Sequence, residues 1–84
     1  MAEATIRERV RELVIDAAPG DVGDVTAGMT LTGDLGYDSL SLLELMTLLE
    51  DEFTLPPIDA DFQAVKTLQD ATDLVCAVLG EAGE

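Results

Sequence analysis

Three stretches of this chain repeat apolar residues at the 3.6-residue period of an α-helix, and the residues between them cannot continue one. In the first, over roughly residues 4–18, Ile6, Val10, Leu13, Val14 and Ala17 share a face, and Pro19 and Gly20 end the pattern. In the second, Leu42, Leu45, Met46, Leu49 and Phe53 form a complete core stripe on a helix that runs from Ser39 to about Phe53, and Pro56 and Pro57 prevent its continuation. In the third, Leu68, Ala71, Thr72, Val75, Val78 and Leu79 line up behind a Thr67 and Asp70 pair that resembles a capping box, with Gly80 at the end. Residues 58–65 have room for only a short helical turn, with Ile58, Phe62 and Val65 facing inward. No strand is needed. The pattern predicts an all-α fold, a small four-helix bundle of three longer helices and one short one. The long connection over residues 19–37 carries five glycines and no sustained period, so side chains such as Val25, Met29, Leu31 and Leu35 must anchor it.

Eighty-four residues suit one domain, 1–84, with a modest core. Eighteen acidic residues against four basic ones give a net charge of −14. Such a surface repels nucleic acid and anionic membranes, and it predicts basic protein partners. Nearly half the residues are hydrophobic, which separates the chain from disordered acidic tails. One cysteine and no histidine give neither an internal disulfide nor a metal-ligand set, and fit a reducing compartment. The charged N-terminal residues and a longest apolar run of only LVCAVL, residues 74–79, speak against a signal peptide or a membrane span. The expectation is a cytoplasmic monomer.

The chemistry concentrates in LGYDSLSLLEL, residues 35–45. Asp38 is placed to cap the second helix, and Ser39 is its first residue. Stepping about 100° per residue puts Leu40 and Leu43 outside the core stripe, on the side of Ser39, with Glu44, Thr47, Glu50 and Asp51 around them. Either leucine alone could be an ordinary exposed residue, or Leu43 could pack on the long loop. Together they read as an apolar docking face in an acidic rim, suited to a basic groove. Ser39 has no means to act as a nucleophile: there is no histidine, no GxSxG elbow, and Lys66 is the only lysine. Its hydroxyl is instead suited to modification by another enzyme with a phosphate-bearing group, which a helix N-terminus favours and the Asp38 charge partly opposes.

This stretch resembles the serine-bearing motif of the acyl carrier proteins, at Gly36, Asp38, Ser39, Leu40, Glu44 and Leu45. The resemblance continues through LEDEF at 49–53, the proline and IDAD that follow, and TLQDATDLV at 67–75. It implies a four-helix carrier fold in which a phosphopantetheinyl transferase moves 4'-phosphopantetheine from coenzyme A to Ser39, with Gly36 and Asp38 supporting the motif. The arm's thiol would then hold acyl groups as thioesters, and the chain itself would not be an enzyme. It further implies Leu40, Leu43, Glu44, Thr47, Glu50 and Asp51 as contacts for basic patches on an acyltransferase, a ketosynthase or other acyl-processing enzymes. Tyr37, Ser41 and Thr47 depart from the fatty-acid pattern and look more like the discrete carriers of polyketide and other specialised-metabolite pathways. A free-standing peptidyl carrier, a fatty-acid carrier and a cofactor-free acidic adaptor are the alternatives. A calcium loop read from Asp34 fails at Gly36, Ser39 and Leu45. Cys76 reads as a small core residue, and Arg7, Arg9 and Arg11 as counter-charges to acids such as Glu8 and Glu12.

Overall fold

The predicted stripes meet around a shared core. The computed structural model describes residues 3–20 and 22–80 and contains, among them, the helices α1 (Glu3–Ala17), α2 (Ser39–Phe53), α3 (Asp59–Phe62) and α4 (Leu68–Leu79). No strand is present in that span, only a single bridge between Thr30 and Thr67. Helix α1 packs against both α2 and α4, and α3 packs on α4. Ile6, Val10, Leu13 and Val14 of α1, Leu45, Leu49 and Phe53 of α2, and Leu68, Ala71, Val75 and Cys76 of α4 are all buried. The start of α4 has the reciprocal bonds expected of its sequence: the Asp70 N–H donates to the Thr67 hydroxyl at 3.1 Å, and the Asp70 carboxylate accepts from the Thr67 N–H at 3.2 Å.

The long connection is not a free loop. The Leu31 N–H donates to the Lys66 carbonyl at 2.8 Å, the Leu68 N–H to Met29 at 3.1 Å and the Gln69 N–H to Ala27 at 2.9 Å. These bonds fasten the connection along the approach to α4. Val25, Leu31 and Leu35 are buried as expected, and Met29 is half-buried. The guanidinium of Arg11 adds a bond to the Val25 carbonyl at 2.9 Å, so this arginine also ties loop to helix. Arg9 does pair with Glu12, and it also reaches Glu52 at 2.8 Å, linking α1 to the end of α2. Glu52 is held below the usual carboxylate range by that arginine, and Arg9 is raised in turn.

One stripe is rotated from its expected position. On α2, Ser41 is buried whereas Leu42 and Met46 are only half-buried. The short α3 covers too little of that side of α2 to enclose them, and they become walls of a surface cleft with Phe62 and Val65.

Helix α2 ends on Thr54, which lies in the left-handed region at φ 52° and donates its N–H to the Glu50 carbonyl. A β-branched residue there costs about 1–2 kcal/mol relative to one without a Cβ clash. Glycine gives part of that back through the entropy it loses on folding. Thr54→Gly is therefore expected to stabilise the chain by about 0.5–1 kcal/mol, raising Tm by a few degrees in a thermal melt followed by circular dichroism. A lower Tm would contradict the argument.

Candidate functional site

The turn that delivers Ser39 is built from two buried side chains on either side of a left-handed glycine. Leu35 and Tyr37 both point into the core, and Gly36 between them has φ 74°, a conformation that a side chain would strain. The Tyr37 N–H donates to the Leu31 carbonyl at 2.8 Å, and its hydroxyl donates to the Val14 carbonyl in α1. Burial pushes that hydroxyl well above the usual tyrosine range, and the charges of Asp16 and Glu44 add to the effect. Tyr37 is thus the peg that fixes the start of α2 to α1.

Asp38 follows in extended conformation and caps α2. Its Oδ1 accepts from the Ser41 N–H at 2.8 Å and from the Ser41 hydroxyl at 2.7 Å. One carboxylate oxygen, Oδ1, is thus committed to Ser41, and Ser39 stays exposed at the helix start. The Ser41 hydroxyl, followed by the Ser41 N–H, holds the Asp38 carboxyl below its usual range. A depressed carboxylate contributes stability that is full above its unfolded pKa and is lost as pH falls through the folded value. Ser41→Ala is therefore expected to raise the Asp38 titration midpoint in an NMR titration and to shift acid unfolding toward higher pH. An unchanged midpoint would show that the hydroxyl does not set it.

Ser39 lies at the rim of an open cleft of about 400 Å³, lined on α2 by Leu42, Leu43 and Met46 and on the α3 side by Asp59, Phe62, Gln63 and Val65. Leu40 and Leu43 are 67% and 54% exposed, and Leu43 lines the cleft on the α3 side. Glu44, Thr47 and Asp51 are also exposed, and the Thr47 hydroxyl donates to the Leu43 carbonyl at 3.1 Å. Glu50 differs from its neighbours. It is half-buried, and its carboxylate accepts from the Ile58 N–H at 2.9 Å.

Three features of this region escaped the sequence reading. Leu48 is 36% exposed and lines a second shallow cleft with Leu43, Glu44 and Thr47, so the apolar face extends further around α2 than the leucine pair. Tyr37 is a core residue, which its place in a glycine-flanked turn concealed. Ser41 is a buried partner of the cap and not an exposed substitute for an acid. A hydroxyl residue three positions after a capping aspartate was the available signal.

The residues fit a phosphopantetheine group. An exposed serine sits on the first turn of a helix, the adjacent carboxylate is hydrogen-bonded to Ser41, and an apolar cleft opens beside it. The family described as the phosphopantetheine attachment site matches residues 8–75. An acyl carrier protein of Solidesulfovibrio magneticus is 34% identical over 77 residues, covering 92% of this chain and 99% of that protein. The chain belongs to the acyl carrier protein family. Solved structures agree with this carrier's fold. A Mycobacterium tuberculosis protein described as an acyl carrier protein superposes with a TM-score of 0.78 at 35% identity, over 86% of this chain and 96% of that one. The acyl carrier protein of Thermotoga maritima gives a TM-score of 0.76 at 26% identity, over 96% and 94%.

Such a carrier is not a catalyst. It carries phosphopantetheine, is modified by a phosphopantetheinyl transferase, and works with acyl-processing enzymes. Its side chains attach, present and identify, and the thiol supplied by the bound group holds the cargo as a thioester.

Proposed function

We propose that Ser39 is the attachment point, and that this carrier shuttles acyl intermediates between cytoplasmic enzymes of a polyketide or other specialised-metabolite pathway. The observation that carries the first part is the exposed Ser39 at the start of α2, at the edge of the apolar cleft and next to a carboxylate bonded to Ser41. A transferase can reach this oxygen without breaking a core contact. The phosphate diester would then lie at the positive end of the α2 dipole.

The surrounding face supports recognition by basic partners. Leu40 and Leu43 offer apolar contact, while Glu44, Thr47, Glu50 and Asp51 give the rim its polarity. The pathway part rests on Tyr37 before the Asp-Ser-Leu motif and on Thr47 along α2. Ser41 supports it less directly. Because its side chain is buried, an acid at this position could not simply be restored as a surface contact.

The test is intact mass after incubating the apo protein with coenzyme A, Mg²⁺ and a broad-specificity transferase. Wild type is expected to gain one phosphopantetheine adduct and Ser39→Ala none, with the same helix content. An adduct on Ser39→Ala would move the attachment elsewhere. An unmodified wild type beside a working control would favour the cofactor-free adaptor. Loading the holo protein from malonyl and from aminoacyl donors then distinguishes polyketide from peptide work, and efficient aminoacyl loading alone would overturn the pathway assignment.

A further inference from the structure

Glu50 stands out because it belongs to two structures at once. By position it is part of the acidic rim of α2. By contact it is a clasp, since its Oε2 accepts the Ile58 N–H at 2.9 Å. Ile58 is the residue before α3 and is almost fully buried, and its own side chain makes no capping hydrogen bond. The Phe62 N–H then donates to the Ile58 carbonyl at 2.7 Å, the bond that closes the short helix. Helix α3 has four residues, far below the length at which a helix is stable alone. Its position therefore depends on the packing of Phe62 in the core and on what holds its ends. At the C-terminal side the chain runs on to Val65 and the buried Leu68, and at the N-terminal side the polar anchor is Glu50.

The wall that α3 and its extension supply is the outer wall of the cleft beside Ser39, formed by Asp59, Phe62, Gln63 and Val65. We infer that Glu50 is a positioning residue that couples the docking face of α2 to this cleft wall. A carboxylate shared between an internal N–H and an arriving cation has a choice that Glu44 and Asp51 do not. An arginine or lysine of a basic partner is a charged donor, stronger than a neutral amide, and competes for the same oxygens. When Glu50 turns to the partner, Ile58 loses its acceptor and α3 is loosened. The side of the cleft that shelters or exposes the arm thus yields in response to docking. The inference about coupling rests on the reading of α2 as the partner face; the clasp itself does not.

Two variants separate the acceptor from the charge. Glu50→Gln keeps a carbonyl oxygen that can take the Ile58 N–H but removes the negative charge, and Glu50→Ala removes both. In amide exchange by NMR, Ile58 and Phe62 are expected to exchange at least tenfold faster in Glu50→Ala and within about threefold of wild type in Glu50→Gln. The Leu45 amide serves as a control for global opening. Wild-type exchange at Ile58 in Glu50→Ala would overturn the clasp, and so would equal acceleration of Leu45, which would mean general destabilisation. For the coupling, the apo protein is titrated with a phosphopantetheinyl transferase without coenzyme A. The Ile58 amide resonance is expected to move toward its position in Glu50→Ala. If α2 resonances shift while Ile58 stays at its wild-type position, the coupling is wrong although the docking face is right. If no α2 resonance shifts although the transferase binds, the docking reading fails and the coupling fails with it, while the exchange comparison still decides the clasp.

Discussion

Reversing Glu44 and Asp51 together to lysine is expected to slow modification by a basic transferase by about 10- to 100-fold at low ionic strength while leaving helix content unchanged. Both side chains are exposed, and the bonds that define α2 run elsewhere, through Asp38, Ser41 and Glu50. The double variant also makes a chain of net charge −14 less negative, so self-repulsion falls and the fold is not put at risk. The loss should sit in the association rate, because rim charges act mainly on encounter. It should shrink as salt rises, since the Debye length contracts from about 10 Å at 0.1 M to about 3 Å at 1 M. Leu40→Ala is the complementary probe. A leucine that is two-thirds exposed in the free protein contributes by being desolvated in the complex, so its removal should act on dissociation and be insensitive to salt. Stopped-flow binding at two ionic strengths distinguishes the two effects. Equal association rates for wild type and the double lysine variant would remove the acidic rim from the recognition argument.

What was legible in the sequence was local. Helix starts at Asp38 and Thr67, the stops at Gly80 and before the two prolines, and the four-helix order all follow from residues within one turn of each other. The exposed Ser39 beside Leu40 and Leu43 was legible because three residues and a helical period suffice to place it. The rest depended on distant parts of the chain. Pairing of residues 27–31 with 66–69 joins segments far apart in sequence through backbone groups, which leave no trace in side-chain type. The core role of Tyr37 left no mark in the sequence because its partner, the Val14 carbonyl, is likewise a backbone group in another helix. Glu50 counted as one rim acid among several, since nothing in its own helix reveals that Ile58 will approach it. The rotation of the α2 stripe has the same origin: a period identifies a face, but the length of the neighbouring helix decides how far that face is covered.

The largest stability effect expected from a single change is at Leu49, which is fully buried on α2, and the adjacent Leu48 provides the control. Leu49→Ala removes core contact and leaves a cavity, at a cost of about 2–5 kcal/mol. Leu48, 36% exposed, should cost within about 0.5 kcal/mol when truncated in the same way. A domain of this size has roughly 4–13 kcal/mol in total. Eighteen acidic residues against four basic ones place it toward the lower end, because like charges crowd together when the chain folds. Leu49→Ala is thus expected to be largely unfolded at low ionic strength and physiological temperature. Added sodium chloride screens the repulsion without refilling the cavity. The variant should therefore regain helix content in 0.3 M salt, while its deficit relative to wild type at matched salt stays constant. Thermal melts of both alanine variants at two salt concentrations test the charge and packing terms separately. If Leu49→Ala melted with Leu48→Ala, the face of α2 described as core would not be the one that holds the bundle together.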